Sequence, residues 1–225
     1  MFELEQPIVM IAQNVLRFVR RPVCMRMIDV FAGFGGQSKA FLDNGWDVLR
    51  IDNNPLLSAV PNIKIQDVKD FLQDCKLLVE AHGTPDLDYL HMSPPCLEFS
   101  NAYSSPKSIA LRSGIPYEPS MELLEICLEL IDVLKPRYWS IENVVGAIKY
   151  FEPYLGKHRV KIGSFVFWGN FPYPAVNGYK VPRKNTHDTG PRNPLRANYR
   201  AMIPYPISEM FRKAIEEQKA LTYWF

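Results

Sequence analysis

The chain reads as an α/β protein built on a mainly parallel sheet with helices on both faces. Three observations carry that reading. Short apolar runs of strand length alternate with segments of helical periodicity. A glycine-rich turn follows the first of these runs, and the polar residues suited to chemistry fall at the ends of the runs rather than inside them.

Taken in order, MRMIDVFA (25–32) is a compact apolar strand closing on the glycine turn, and GQSKAFLDNG (36–45) is helix-forming and stops at a glycine. WDVLRIDNNP (46–55) is a second buried strand ending in a polar turn, and PNIKIQDV (61–68) a shorter third. DFLQDCKLLVEAHG (70–83) is a helix leading to the fourth strand, DLDYLHMS (86–93), which ends at a Pro-Pro-Cys turn. MELLEICLELIDVLK (121–135) carries apolar residues at 123, 124, 127, 128, 131 and 134, a helical stripe. RYWSIENV (137–144) resumes as a fifth strand, and GSFVFWGNFP (163–172) is one more. From Phe171 to Asn198 the chain is rich in Pro, Gly, Asn, Lys and Arg, which predicts extended surface. SEMFRKAIEEQKAL (208–221) is a closing helix with Ser208 as its expected N-cap.

With 225 residues, 47% of them hydrophobic, the chain can bury one substantial core and leaves little for a second, so one domain over 1–225 is expected. A formal net charge of +2 is too small to argue nucleic-acid binding from charge alone. Cys24, Cys75, Cys96 and Cys127 form no CxxC pair and have no His at ligand spacing, which points away from a disulfide framework or a zinc site and towards a reducing compartment. PIVMIA (7–12) is too short for a leader core, and no apolar run approaches about 18 residues. A soluble, cytoplasmic protein is expected, in a bacterium or in the host of a phage.

Gly33, Gly35 and Gly36 let the backbone turn tightly after the first strand and approach a ligand without side-chain clashes. Asp52 ends the second strand, where a carboxylate can take the two hydroxyls of a ribose. Asp67 ends the third, where it can receive an adenine amino group or simply cap the next helix. In series they favour an adenosine-containing cofactor. Nothing resembles a Walker loop, which argues against ATP.

Cys96 sits in MSPPCLEFS (92–100), where two prolines fix its approach at a strand end. A cytosine or uracil ring is not nucleophilic at C5, but a thiolate adding at C6 makes it an enamine that attacks an electrophilic methyl group. Glu142, in WSIENVVG (139–146), can hydrogen-bond N3 and the 4-amino group of cytosine if it carries a proton, a state that burial favours.

These residues make the chain resemble the DNA cytosine-5 methyltransferases. The family's Phe-x-Gly-x-Gly-Gly is matched by Phe31, Gly33, Gly35 and Gly36, its Pro-Cys-x-x-Phe-Ser by Pro95, Cys96, Phe99 and Ser100, and its Glu-Asn-Val by Glu142, Asn143 and Val144. The order and spacing agree over about the first 150 residues. The resemblance implies a Rossmann-like S-adenosylmethionine-dependent methyltransferase fold, with Asp29, Phe31 and the glycines holding S-adenosylmethionine, Asp52 its ribose and Asp67 its adenine, and Pro95 lying between cofactor and base. It makes Cys96 the nucleophile and Glu142 the group at the cytosine edge, and it places Ser100 and Asn143 at the nucleic acid.

The chain departs from the family in four places. Leu97 stands where Gln usually follows the nucleophile. The Gln-x-Arg-x-Arg segment has its nearest counterpart in KHRVK (157–161), which makes Arg159 a third catalytic candidate, for the base O2 or a phosphate. RAMIP (200–204) replaces Gly-Asn-Ser-Val-Pro, removing the Asn expected near the cofactor. Finally, a short basic segment at 171–200 stands in place of the family's target-recognition domain. It holds Lys180, Arg183, Lys184, Arg192, Arg196 and Arg200 with Tyr173, Tyr179 and Tyr199 interleaved, a composition suited to phosphates and stacked bases. Because a duplex base must be extruded before Cys96 can reach C6, so small a segment points to low sequence specificity, a single-stranded target, or a partner protein that supplies recognition. The expected partner is DNA. RNA, a free nucleotide or transfer of a modified group stay open as alternatives, as does a catalytically weak nucleic-acid-binding subunit.

Overall fold

The computed structural model describes residues 24–182, 190 and 193–222. Arg183, Lys184, Arg192 and the PIVMIA stretch lie outside the described residues. The strands are β1 (Arg26–Val30), β2 (Asp47–Asp52), β3 (Ile63–Ile65), β4 (Tyr89–Met92), β5 (Tyr138–Val144), β6 (Val160–Ile162) and β7 (Phe165–Asn170). The α-helices are α1 (Lys39–Asp43), α2 (Val68–His82), α3 (Pro106–Arg112), α4 (Glu122–Leu134), α5 (Ile148–Leu155), α6 (Arg196–Ala201) and α7 (Tyr205–Thr222).

The strands form one sheet in the order β3-β2-β1-β4-β5-β7-β6. The first five are parallel, and β7 runs antiparallel to both β5 and β6. Crossover helices force this arrangement, because a parallel neighbour is reached only by returning over a face of the sheet. Successive side chains of a strand point to opposite faces. Ile28, Val30, Leu90, Ile141 and Trp168 therefore pack on one side with Phe71, Cys127 and Phe151, while Met27, Tyr89 and Phe167 pack on the other with Phe41, Phe211 and Ile215. This is the mainly parallel α/β sheet that the alternation of elements predicts, and the Rossmann-like methyltransferase fold that the resemblance implies. The carboxyl ends of β1, β2, β4 and β5 share one edge, which is where such sheets bind ligands.

Some elements differ from expectation. α7 begins at Tyr205, so Ser208 is not its N-cap; the side chain lies in the first turn, fully buried, accepting from the Ala40 amide at 3.1 Å and donating to the Gln37 carbonyl. That hydroxyl joins α7 to α1. No strand was expected at KHRVK, yet Val160–Ile162 forms the edge strand β6, held by pairing with β7 and by the burial of Val160 and Ile162. The 171–200 segment also contains α6 at its end.

Candidate active site

The glycine turn leaves β1 through Phe31, which takes a positive φ of 58°, followed by Gly33 at 54° and Gly35 at 73°. Both glycines sit in backbone space that L side chains seldom enter. A Cβ on Gly35 would overlap the Arg50 guanidinium, and one on Gly36 would come within 2.6 Å of the Ile203 carbonyl. The RAMIP run thus packs directly on the turn although its sequence departs from the expected one. Asp52 accepts the Gly33 amide at 2.8 Å with one carboxylate oxygen and the Asn54 amide at 3.0 Å with the other. It stands beside the turn, half-buried.

Asp29 supports the turn from below. It is 1% exposed and accepts from the Ser38 hydroxyl at 2.5 Å, which in turn accepts from Arg50 Nε at 2.8 Å. Burial pushes its carboxyl up to about 7, against the lowering effects of Ser38 and Arg50. Asp67 is exposed and is the N-cap of α2, accepting the Lys69 amide at 2.9 Å with Oδ1; Oδ2 lies 3.5 Å from the Asn53 amide nitrogen. Beside it the Gln66 Oε1 is buried without a partner among the described residues, while its Nε2 donates to Asp74 at 2.8 Å. Asp52, Asp67 and Gln66 therefore offer acceptors at the ends of β2 and β3, matched to a group that brings hydroxyl and amino donors.

One residue at this end escaped sequence reading. Asn198, on α6, accepts from Asn54 Nδ2 at 3.4 Å and places its amide nitrogen 3.5 Å from a Cβ built on Gly33. Next to it Tyr199 packs on Phe34, ring centroids 4.5 Å apart. An asparagine thus reaches the glycine turn from a position ahead of RAMIP. Only the packing of α6 over the turn reveals it.

The Pro-Pro-Cys loop leaves β4 where the Ser93 amide bonds the Val30 carbonyl at 3.1 Å. Pro94 is buried, Pro95 exposed and Cys96 half-buried, its thiol in no disulfide. The Cys96 carbonyl accepts both the Phe99 and the Ser100 amides, at 3.1 and 3.0 Å, so the backbone wraps into a single turn behind the thiol. Phe99 anchors that turn by packing on Tyr150 and Phe151. Ser100 caps the following bend, accepting the Ala102 amide at 3.1 Å. Leu97, in place of the expected Gln, is 62% exposed.

Glu142 lies on β5, next to β4, one residue past the Met92–Ile141 pair and 8% exposed. The strand pairing therefore brings the Cys96 loop and Glu142 to the same edge. Asn143, expected at nucleic acid, is 1% exposed. Its Nδ2 donates to the Pro94 carbonyl at 2.9 Å and its Oδ1 accepts the Val144 amide at 2.9 Å, so its amide clamps β5 to the loop. Gly146 completes the contact, since a Cβ there would overlap the Phe99 carbonyl. Its signal in the sequence was a glycine two residues past Val144.

Arg159 is not brought to this place. It is exposed, precedes the outermost strand two positions from β5, and its guanidinium lies 5.5 Å from the Phe171 ring. Phe171 follows Asn170, which pairs with Trp139 near the start of β5, the end away from the loop. The Arg159 amide donates to the Phe167 carbonyl at 2.8 Å and Phe167 pairs with Glu142, so the backbone stands level with the site, two strands out, while the side chain turns away from it towards Phe171. Lys180 is exposed, and Arg196, on α6, has a buried Nε with no partner among the described residues. Among the described residues no group of His, Cys, Asp and Glu could hold a metal ion, and no helix is long and apolar enough to cross a membrane.

Comparison with known proteins decides the family. A profile of the C-5 cytosine-specific DNA methylases matches residues 25–154, more than half of the chain and all of the edge just described. The chain belongs to the C-5 cytosine-specific DNA methylase family. It is 26% identical over 163 residues to the type II methyltransferase M.XorII of Xanthomonas oryzae pv. oryzae, a match that covers 68% of this chain and 35% of the relative. The family member described here thus spans about a third of the length of that curated protein. Among solved structures it is similar to a SAM-dependent methyltransferase from Agrobacterium tumefaciens, at 16% identity and a TM-score of 0.32, over 61% of this chain and 44% of that one.

Proposed function

We propose that the chain methylates cytosine in DNA at C5 through a covalent Cys96 adduct at C6. Family membership supports the reaction class, and the adjacency of the Cys96 loop and Glu142 on one sheet edge supports the mechanism. Asp52, Asp67, Gln66 and the glycine turn would hold S-adenosylmethionine, with Asn198 added to the set. When bound, S-adenosylmethionine supplies an electrophilic methyl group.

The remaining steps belong to the protein. Cys96 as thiolate adds to C6, forming a C–S bond and turning the C5–C6 double bond into an electron-rich enamine. Glu142, when it carries a proton, gives a hydrogen bond to N3 as that atom gains electron density. After C5 has gained its methyl group, loss of the C5 proton and departure of the thiolate restore the aromatic ring and the enzyme. Pro94 and Asn143 keep the loop from moving with the thiol, so the attacking sulfur starts near its working position. The 171–200 segment would take the place of a target-recognition domain within a single methyltransferase domain, its basic and tyrosine side chains meeting the backbone and bases of an extruded strand.

The decisive test is an oligonucleotide carrying 5-fluorocytosine together with S-adenosylmethionine. Fluorine cannot leave as a proton does, so the wild type should be trapped on DNA through Cys96, while Cys96→Ser should lose methyl transfer and keep cofactor binding. Substantial methylation by Cys96→Ser, or a trapped base mapped to Cys24, Cys75 or Cys127, would overturn the mechanism.

A further inference from the structure

Beneath the candidate site, on the α1/α7 face of the sheet, five polar side chains form an unbroken buried line. Gln37 Nε2 donates to the Tyr89 hydroxyl at 3.3 Å, Tyr89 meets Ser140 Oγ at 2.6 Å, Ser140 meets His91 Nδ1 at 2.7 Å, and His91 Nε2 meets Ser93 Oγ at 2.8 Å. Tyr89, His91 and Ser140 are completely buried and Gln37 is 2% exposed. Strand register brings them together, since His91 pairs laterally with Ser140. One end of the line adjoins Gly36 of the glycine turn, and the other is three residues from Cys96.

Each hydroxyl has one proton, so the direction of one bond decides the rest. With the Gln37 amide nitrogen donating, the Tyr89 proton goes to Ser140, and the Ser140 proton goes to His91 Nδ1. His91 must then carry its proton on Nε2 and donate to Ser93, whose own hydroxyl proton is left for a further acceptor. A neutral ring is required throughout, and burial holds His91 in that form, pushing its pKa down to about 3. A polar line of this kind is costly to bury, and at its end Gln37 Oε1 is buried without a partner among the described residues. Apolar side chains at these positions would fill the same core at less cost.

We infer that Gln37, Tyr89, Ser140 and His91 are positioning residues that orient Ser93, and through it the Cys96 loop, relative to the glycine turn. The inference rests on the reading of Cys96 as nucleophile for its purpose, but its test needs neither cofactor nor DNA. The rate at which iodoacetamide alkylates Cys96, mapped by mass spectrometry, reports the setting of the thiol. Gln37→Met and Ser93→Ala should each change that rate, roughly fivefold. Because the two residues do not touch, independent effects would multiply; a connected line instead predicts that Gln37→Met adds nothing once Ser93 is Ala. Should Gln37→Met fail to fold, Tyr89→Phe, which removes one oxygen from the middle of the line, takes its place in the same cycle. Nitrogen-15 NMR of histidine-labelled protein should show His91 as a single neutral tautomer protonated at Nε2. Multiplying effects, an unmoved Cys96 rate in Gln37→Met or Tyr89→Phe, or a His91 protonated at Nδ1 would overturn the inference. Failure of 5-fluorocytosine trapping alongside the expected labelling pattern would instead sink the proposed reaction and leave the positioning line standing.

Discussion

At the scale of single residues, Asp29 shows how a motif residue can support a turn from within the core. Its carboxyl supports Ser38 and Arg50 under the glycine turn, and burial raises it from 3.8 to about 7. Below pH 4 the folded and unfolded chains both hold this proton. Between about pH 4 and 7 the unfolded chain has lost it while the folded chain keeps it, so the stability linked to this group falls across that window and levels off above it. Thermal unfolding of Asp29→Asn and wild type at a series of pH values should show the difference shifting in favour of the variant from pH 4 to 7, then holding constant. Gly146 offers a second residue-scale test. A methyl group there must displace the Phe99 carbonyl, which also accepts from Lys107 at 3.2 Å and sits in the turn whose other anchor is the Cys96 carbonyl. Gly146→Ala should cost about 1–3 kcal/mol of stability as an overpacked contact. It should also slow 5-fluorocytosine trapping more than tenfold, read by gel shift of the covalent complex.

At the scale of elements, α2 starts on a side chain that is offered two tasks. Asp67 caps the helix through one oxygen and leaves the other beside Asn53. Serine caps a helix as well as aspartate does, but it brings no carboxylate. Asp67→Ser should therefore keep the melting temperature while weakening S-adenosylmethionine binding, whereas Asp67→Ala should lose about 1 kcal/mol of stability as well. Calorimetry and thermal melts on the two variants separate the roles. Equal cofactor affinity in all three proteins would make Asp67 a cap and nothing more. α7 illustrates the opposite case, a helix whose serine looked like a cap and instead ties it to α1 through a buried hydroxyl.

At the scale of the whole molecule, the near-neutral charge of +2 means that any grip on nucleic acid must come from where cations lie rather than from how many there are. α6 joins that question to the glycine turn, because the same short helix carries Arg196 and Arg200 and lays Asn198 and Tyr199 on that turn. Replacing Lys180, Arg183 and Arg196 with glutamine should lower DNA affinity and reduce the slope of log K against log salt by about 2, since a phosphate that meets no cationic side chain keeps its counterion. Fluorescence anisotropy across a salt series measures it, and an unchanged slope would reduce the segment to solvated surface.

The sequence alone was sufficient for whatever depends on near neighbours. Alternating apolar runs marked β1, β2, β4, β5 and β7, the glycine turn and the Pro-Pro-Cys loop were legible in a few consecutive residues, and both of these stretches do lie at strand ends. That holds because backbone freedom at glycine, restriction at proline and side-chain alternation act over one or two peptide units. Only the tertiary structure decided which strands became neighbours, and the consequences were chemical. Packing on the outermost strand turned the Arg159 guanidinium towards Phe171, and strand pairing turned the Asn143 amide onto Pro94 and lined up Gln37, Tyr89, Ser140, His91 and Ser93. β6 itself, three residues long, exists because β7 offers it hydrogen-bond partners, and Asn198 reaches Gly33 from well over a hundred residues away. No local pattern records such contacts, because a buried polar group is satisfied by whichever distant strand or helix the packing of the core places beside it.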